Sequence, residues 1–204
     1  MREGQGDFVL KVWRQGVVLA LAALAGGCAL ASKPAPATFD LQAPTSFPSG
    51  IGATSVQFAV TEPTVVGALD SERIVVRPSP TEITYLAKAQ WSDRVPKLVQ
   101  ARLIDAFQNT GHVRSVGVPG SAVVSDVGLV TDLRDFHIDA QNNVAVVAIN
   151  VRIVGDQSGR VIASRTFEAR EPVSGNDAGD LVAAMNAAFE KVSTEIVTWT
   201  LAKI

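Results

Sequence analysis

The stretch "GLVTDLRDFHIDAQNNVAVVAINVRIVGDQSGRVIASRTFEARE", residues 128–171, holds three long β-rich segments: Gly128 to Asp139, Asn143 to Gly155 and Arg160 to Glu171. They are joined through the turn-like sequences AQNN and DQSG. Ile149, Val151 and Ile153 share one side of the middle segment, and Asn150 and Arg152 share the other. Period-two alternation between turns is the pattern of an antiparallel meander with one buried face.

A buried sheet face needs a cover, and the next segment supplies one. From Asp177 to Ala202, Leu181, Val182, Met185, Ala188, Phe189, Val192, Ile196 and Trp199 recur at helical spacing. A second helix is predicted upstream, from Ser92 to Thr110. Its stripe is Val95, Leu98, Val99, Arg102, Leu103, Ala106 and Phe107, with Arg102 the polar member. Ser92 or Asp93 can cap it, Pro96 fits its first turn and Gly111 stops it. Shorter strands are predicted at Ser55–Thr61, Arg73–Arg77, Glu82–Leu86 and Val113–Val118, with Pro63, Pro78 and Pro80 as breakers. Residues 65–72 are expected to form a loop. The predicted fold class is α/β: a sandwich of a mixed, partly antiparallel sheet with two main helices packed on it.

The N-terminus reads as an address. Arg2, Lys11 and Arg14 precede an apolar run from Val17 to Ala25, then Gly26, Gly27 and Cys28. That is the order of a secretory signal, and the run is about half the ~20 residues a membrane-spanning helix needs. "LAGGC", residues 24–28, is similar to a bacterial lipobox, in which the cysteine becomes the acylated first residue of the mature chain. Ala25 stands where the usual pattern has Leu. Residues 1–27 are accordingly expected to be a signal peptide, with Cys28 the lipidation site. Residues 28–50 are expected to be the lipidated N-terminus and a tether, and 51–204 one domain. "ASKPAPATFD" after Leu30 is small and proline-bearing, which suits a tether of about ten residues reaching at most ~35 Å. Ala29, rather than Asp, follows the cysteine, which under the enterobacterial sorting rule points to the outer membrane, facing the periplasm.

Composition narrows the chemistry. The chain of 204 residues is 47% apolar with a formal charge of −2, so nothing basic is available to hold nucleic acid. A single cysteine excludes an intrachain disulfide and cysteine-cluster metal sites. His112 and His137 have no metal-ligand partner at suitable spacing, and Ser121 in VPGSAV lacks the glycine that a nucleophile elbow needs. No glycine-rich phosphate-binding motif occurs. Asp132 and Asp135 could serve acid–base chemistry, but solvated strand residues are the simpler reading. The expectation is a non-enzyme without cofactor or metal.

The ordered elements carry a resemblance. "FDL" at residues 39–41 leads to "VQFAVTEP", then "LDSERIVVR" from Leu69 to Arg77, "ITYLAKAQWSDRVPKLVQARLIDAF" from Ile83 to Phe107, and "IVTWTL" near the end. Leu69, Asp70, Arg73, Val75, Arg77, Tyr85, Trp91, Pro96 and Leu98 fall in the order seen in ABC-type transport auxiliary lipoproteins. That group includes the lipoprotein of the paraquat-inducible Pqi system, and "SER" after Asp70 departs from its commoner "RP". The resemblance implies a non-catalytic α/β sandwich that accompanies an ABC permease and ATPase and an MCE-domain protein. Together these move lipid, phospholipid above all, between two membranes. It makes Leu69, Asp70, Arg73, Arg77 and Trp91 candidate partner contacts. An exposed strand edge would permit homo-oligomerisation. The alternative function is a lipoprotein that assists outer-membrane assembly or activates a cell-wall synthase. A lipid-anchored hydrolase depending on His137 is a third.

Overall fold

The computed structural model describes residues 35–121 and 124–204. Cys28 and the expected signal peptide lie outside the described residues. The strands are β1 (Ala37–Phe39), β2 (Thr54–Val60), β3 (Thr64–Val65), β4 (Arg73–Ser79), β5 (Glu82–Trp91), β6 (Val113–Gly117), β7 (Val127–Asp139), β8 (Val144–Gly155) and β9 (Val161–Pro172). Two helices, α1 (Val95–Asn109) and α2 (Ala178–Leu201), complete the domain. The expected mixed sheet with two helices is what forms.

The meander is present as read, with β7 antiparallel to β8 and β8 antiparallel to β9. Along its other edge β7 meets three strands in turn, all parallel to it: β2 at Val127–Leu129, β3 at Asp132–Leu133 and β4 at Ile138–Asp139. β6 extends the sheet beyond β2, while β5 and then β1 extend it beyond β4. β7 is therefore the spine to which both halves of the sheet attach.

One face of that sheet is covered. Leu129 and Leu133 on β7, Val147, Ile149 and Val151 on β8, and Phe167 on β9 are buried with Leu103 and Phe107 of α1 and Met185, Phe189 and Ile196 of α2. Phe58 meets Phe107 edge-on, with ring centroids 4.8 Å apart. Trp199 lies at the margin of its stripe, half-buried, its ring 5.5 Å from Phe167. Asp177 caps α2 by accepting from the Asp180 amide at 2.9 Å, and Asp180 returns a bond to the Asp177 amide. This reciprocal pairing satisfies two otherwise orphaned donors.

Several elements differ from expectation. β5 runs on to Trp91 instead of ending at Leu86, and β4 passes through Pro78 to Ser79. Neither Ser92 nor Asp93 caps α1; its first residue, Val95, donates instead to the Ser71 carbonyl at 3.2 Å. A tertiary acceptor thus replaces a local one. Part of the segment expected to be tether belongs to the domain instead. Residues 37–39 pair with β5 in parallel, Leu41 is buried, and the compact unit begins at Pro36 rather than residue 51.

Candidate functional site

The phase of the apolar residues along β7 determines what the uncovered face displays. Leu129, Thr131 and Leu133 face the core, and so do Phe136 and Ile138, which have the opposite parity. Pairing slips between Leu133 and Asp135, leaving Arg134 as the extra residue of a β-bulge. A bulge shifts the alternation by one. Asp135, His137 and Asp139 are thereby aimed at the face opposite the helices.

Register then assembles a cleft. His137 lies opposite Val146, Val146 opposite Arg170, and Arg77 of β4 opposite Asp139. Ser79 and Pro80 of the β4–β5 hairpin and Gln141 and Asn142 of the β7–β8 turn form its rim, around a volume of about 250 Å³. Val146 is its apolar floor, buried between the flanking long side chains.

The polar groups of the cleft are unequally satisfied. Asp139 accepts from the Gln141 and Asn142 amides at 3.0 and 3.1 Å and from Asn142 Nδ2 at 2.7 Å. These bonds hold its carboxyl below the usual range, with the Asn142 side chain the largest cause. They also fix the turn, in which Asn143 takes the left-handed conformation that Asn tolerates (φ 54°). Arg170 Nε donates to Glu168 at 2.9 Å. His137 is 8% exposed, with its Nδ1 3.4 Å from Asp135 Oδ1. Burial pushes its pKa down; Asp135 opposes this, Arg77 adds to it, Asp139 opposes and Arg170 adds. The Nε of Arg77 is sealed from solvent and meets no acceptor among the described residues. A sealed donor without an acceptor carries the cost of its desolvation.

The residues singled out in the sequence divide into two groups. Leu69 and Trp91 are 5% and 1% exposed. They are core residues rather than contact residues, because the ring of Trp91 packs 5.7 Å from Phe136 and its amide donates to the Glu72 carbonyl at 2.7 Å. Asp70 is exposed and accepts from Arg94 Nε at 2.7 Å; Arg94 also reaches Glu62 at 3.4 Å. Leu69, Asp70 and Trp91 therefore converge on the start of α1 and brace the junction of β5, loop and helix. Arg73 lies over the Tyr85 ring, 3.5 Å from its centroid. Arg77 alone of the five reaches the cleft. Cys28 lies outside the described residues. Asp139, Asn142 and Arg170 were missed, because only strand register brings them together. The phase slip across Leu133-Arg134-Asp135 is the signal that could have placed His137. Among the described residues no group of three or more His, Cys, Asp or Glu could hold a metal ion.

Residues 38–197 match the family model of the ABC-type transport auxiliary lipoprotein component. An uncharacterized protein of Bradyrhizobium diazoefficiens is 33% identical over 187 residues, 91% of this chain and 50% of that protein. The chain thus spans about half the length of the curated relative it matches. A crystal structure of a Xanthomonas campestris protein superposes with a TM-score of 0.77 at 28% identity, covering 81% of this chain and 95% of that one. Another crystal structure, of an uncharacterized protein, shares the fold, with a TM-score of 0.64 at 12% identity over 81% of this chain and 99% of that one.

Proposed function

The chain belongs to the ABC-type transport auxiliary lipoprotein components, and from that membership we propose that it is the outer-membrane-anchored, periplasm-facing accessory lipoprotein of an ABC/MCE-type lipid transport system. Cys28 carries the acyl chains, residues 1–27 are removed as a signal peptide, and the domain docks the transport apparatus without performing chemistry of its own. The partners are an ABC permease and ATPase and an MCE-domain protein, and the cargo is phospholipid.

The observation that carries this reading is the position of β1. The domain begins at Pro36, so residues 29–35 are what separates it from an anchor at Cys28. A chain of that length spans at most ~30 Å. The domain must then work beside the membrane that holds the anchor. That suits a subunit receiving a transport assembly at a membrane surface better than one reaching through the cell wall. Ala29 next to Cys28 supports the outer membrane as that surface. One acyl chain binds a bilayer only marginally, so stable anchoring calls for several.

Intact-mass analysis of the membrane-extracted protein tests the anchor. The expected product starts at Cys28 and carries fatty acyl mass, whereas Cys28→Ser yields uncleaved precursor or unacylated soluble protein. A normally acylated N-terminus in that variant, or wild-type protein in the inner-membrane fraction, would overturn the localisation.

A further inference from the structure

The cleft on the face opposite the helices is lined by two arginines, Arg77 and Arg170. Arg77 is half-buried: its Nε is sealed from water and meets no hydrogen-bond partner among the described residues, and what a ligand in the cleft can touch is the part of the side chain that lines it. The neighbouring carboxylates are engaged: Asp139 with Gln141 and Asn142, Glu168 with Arg170, and Asp135 beside His137. A buried charge is retained only where something compensates it. Arg77 of β4 and Arg170 of β9 both line the cleft beside His137, so two basic side chains from different strands border one space.

We propose that this cleft binds a phosphate group, with Arg77 as its principal donor and Arg170 and the side chain of Asn142 as flanking donors. A tetrahedral oxyanion accepts bonds from several directions at once, which fits donors on β4, β9 and the β7–β8 turn. A planar carboxylate would use one fork. The space of about 250 Å³ admits a headgroup and leaves acyl chains outside. The phosphate is either free or the headgroup of a phospholipid. Only the choice of a lipid source rests on the proposed transport role; the anion site itself rests on the geometry.

The full-length acylated protein in nonionic detergent, labelled at histidine, provides the test. It has two histidines, His137 in the cleft and His112 away from it. Inorganic phosphate, dihexanoyl phosphatidylglycerol and phosphate-free dihexanoylglycerol are titrated separately while the ring signals are followed. Both phosphate compounds are expected to shift His137 saturably and leave His112 in place, while dihexanoylglycerol does neither. Arg77→Gln is expected to weaken binding at least tenfold, and Arg170→Gln, at an exposed position, to weaken it less. If neither phosphate compound moves His137, or if Arg77→Gln and Arg170→Gln bind like wild type, the site is refuted. Response to free phosphate alone excludes the lipid source, and equal response to dihexanoylglycerol excludes phosphate recognition. Capture of transport partners is a separate measurement, so a silent titration removes the site without touching the accessory role.

Discussion

Arg102 of α1 donates from Nη2 to Asp40 Oδ2 at 2.8 Å, and from Nε to the Leu41 carbonyl at 2.6 Å. It was the polar residue in an otherwise apolar helical stripe, and this pair explains it. The same guanidinium reaches Asp105 at 2.6 Å, while Asp40 Oδ1 also accepts from Ser92 Oγ at 3.0 Å. Residues 39–41 are thereby bolted to the helix and the end of β5. Arg102→Ala leaves the Leu41 carbonyl without its donor and is expected to destabilise the fold by about 1–3 kcal/mol. Urea unfolding of Arg102→Ala, Asp40→Asn and the double variant should show coupling of at least ~0.5 kcal/mol. Strict additivity would mean the two residues act independently.

Trp91 tests the division between core and contact residues. Its ring is buried against Phe136. Trp91→Ala is expected to cost about 3–5 kcal/mol, the range for truncating a large buried aromatic. A variant that unfolds at the same urea concentration as wild type would return Trp91 to the surface.

The N-terminus of α2 rests on Asp177. Removing its carboxylate frees the Asp180 amide and breaks the reciprocal bond. Asp177→Ala should lower stability by about 0.5–2 kcal/mol, whereas Asp177→Ser should recover most of it. Equal losses in the two variants would contradict a capping role.

His137 makes stability depend on pH. Burial lowers its pKa from 6.5, so below that value the unfolded chain takes up a proton more readily than the folded one. The stability that depends on a neutral His137 is present above pH ~6.5. It falls as pH drops through the lowered pKa and levels off once both states are protonated. His137→Gln should remove this component, so the gap between wild type and variant should narrow between about pH 7.5 and about pH 5.5. Parallel curves from denaturant unfolding would show that His137 does not titrate differently in the two states.

The meander and both helices were legible because their apolar periods are long and unbroken, as at Ile149-Val151-Ile153 and Val182-Met185-Phe189. β1 and β3 were not: Ala37–Phe39 and Thr64–Val65 are too short for a period, and their pairing with β5 and β7 is decided by tertiary contact. The end of β5 is obscured by Lys88, a charged residue that takes a positive φ of 59° within the strand. Pro78, a breaker by sequence, is exposed, and strand β4 continues through it to Ser79. The cleft needed register. Arg77, His137 and Arg170 are far apart in the chain, and only the bulge at Arg134 turns His137 outward to meet the other two.

Affinity capture of the acylated protein from solubilised membranes tests the accessory role most directly. The expected co-purifying proteins are an MCE-domain protein and the permease and ATPase of an ABC transporter, with increased outer-membrane permeability when the gene is deleted. Recovery of a cell-wall synthase or an outer-membrane assembly component in their place, with unchanged permeability on deletion, would contradict the account.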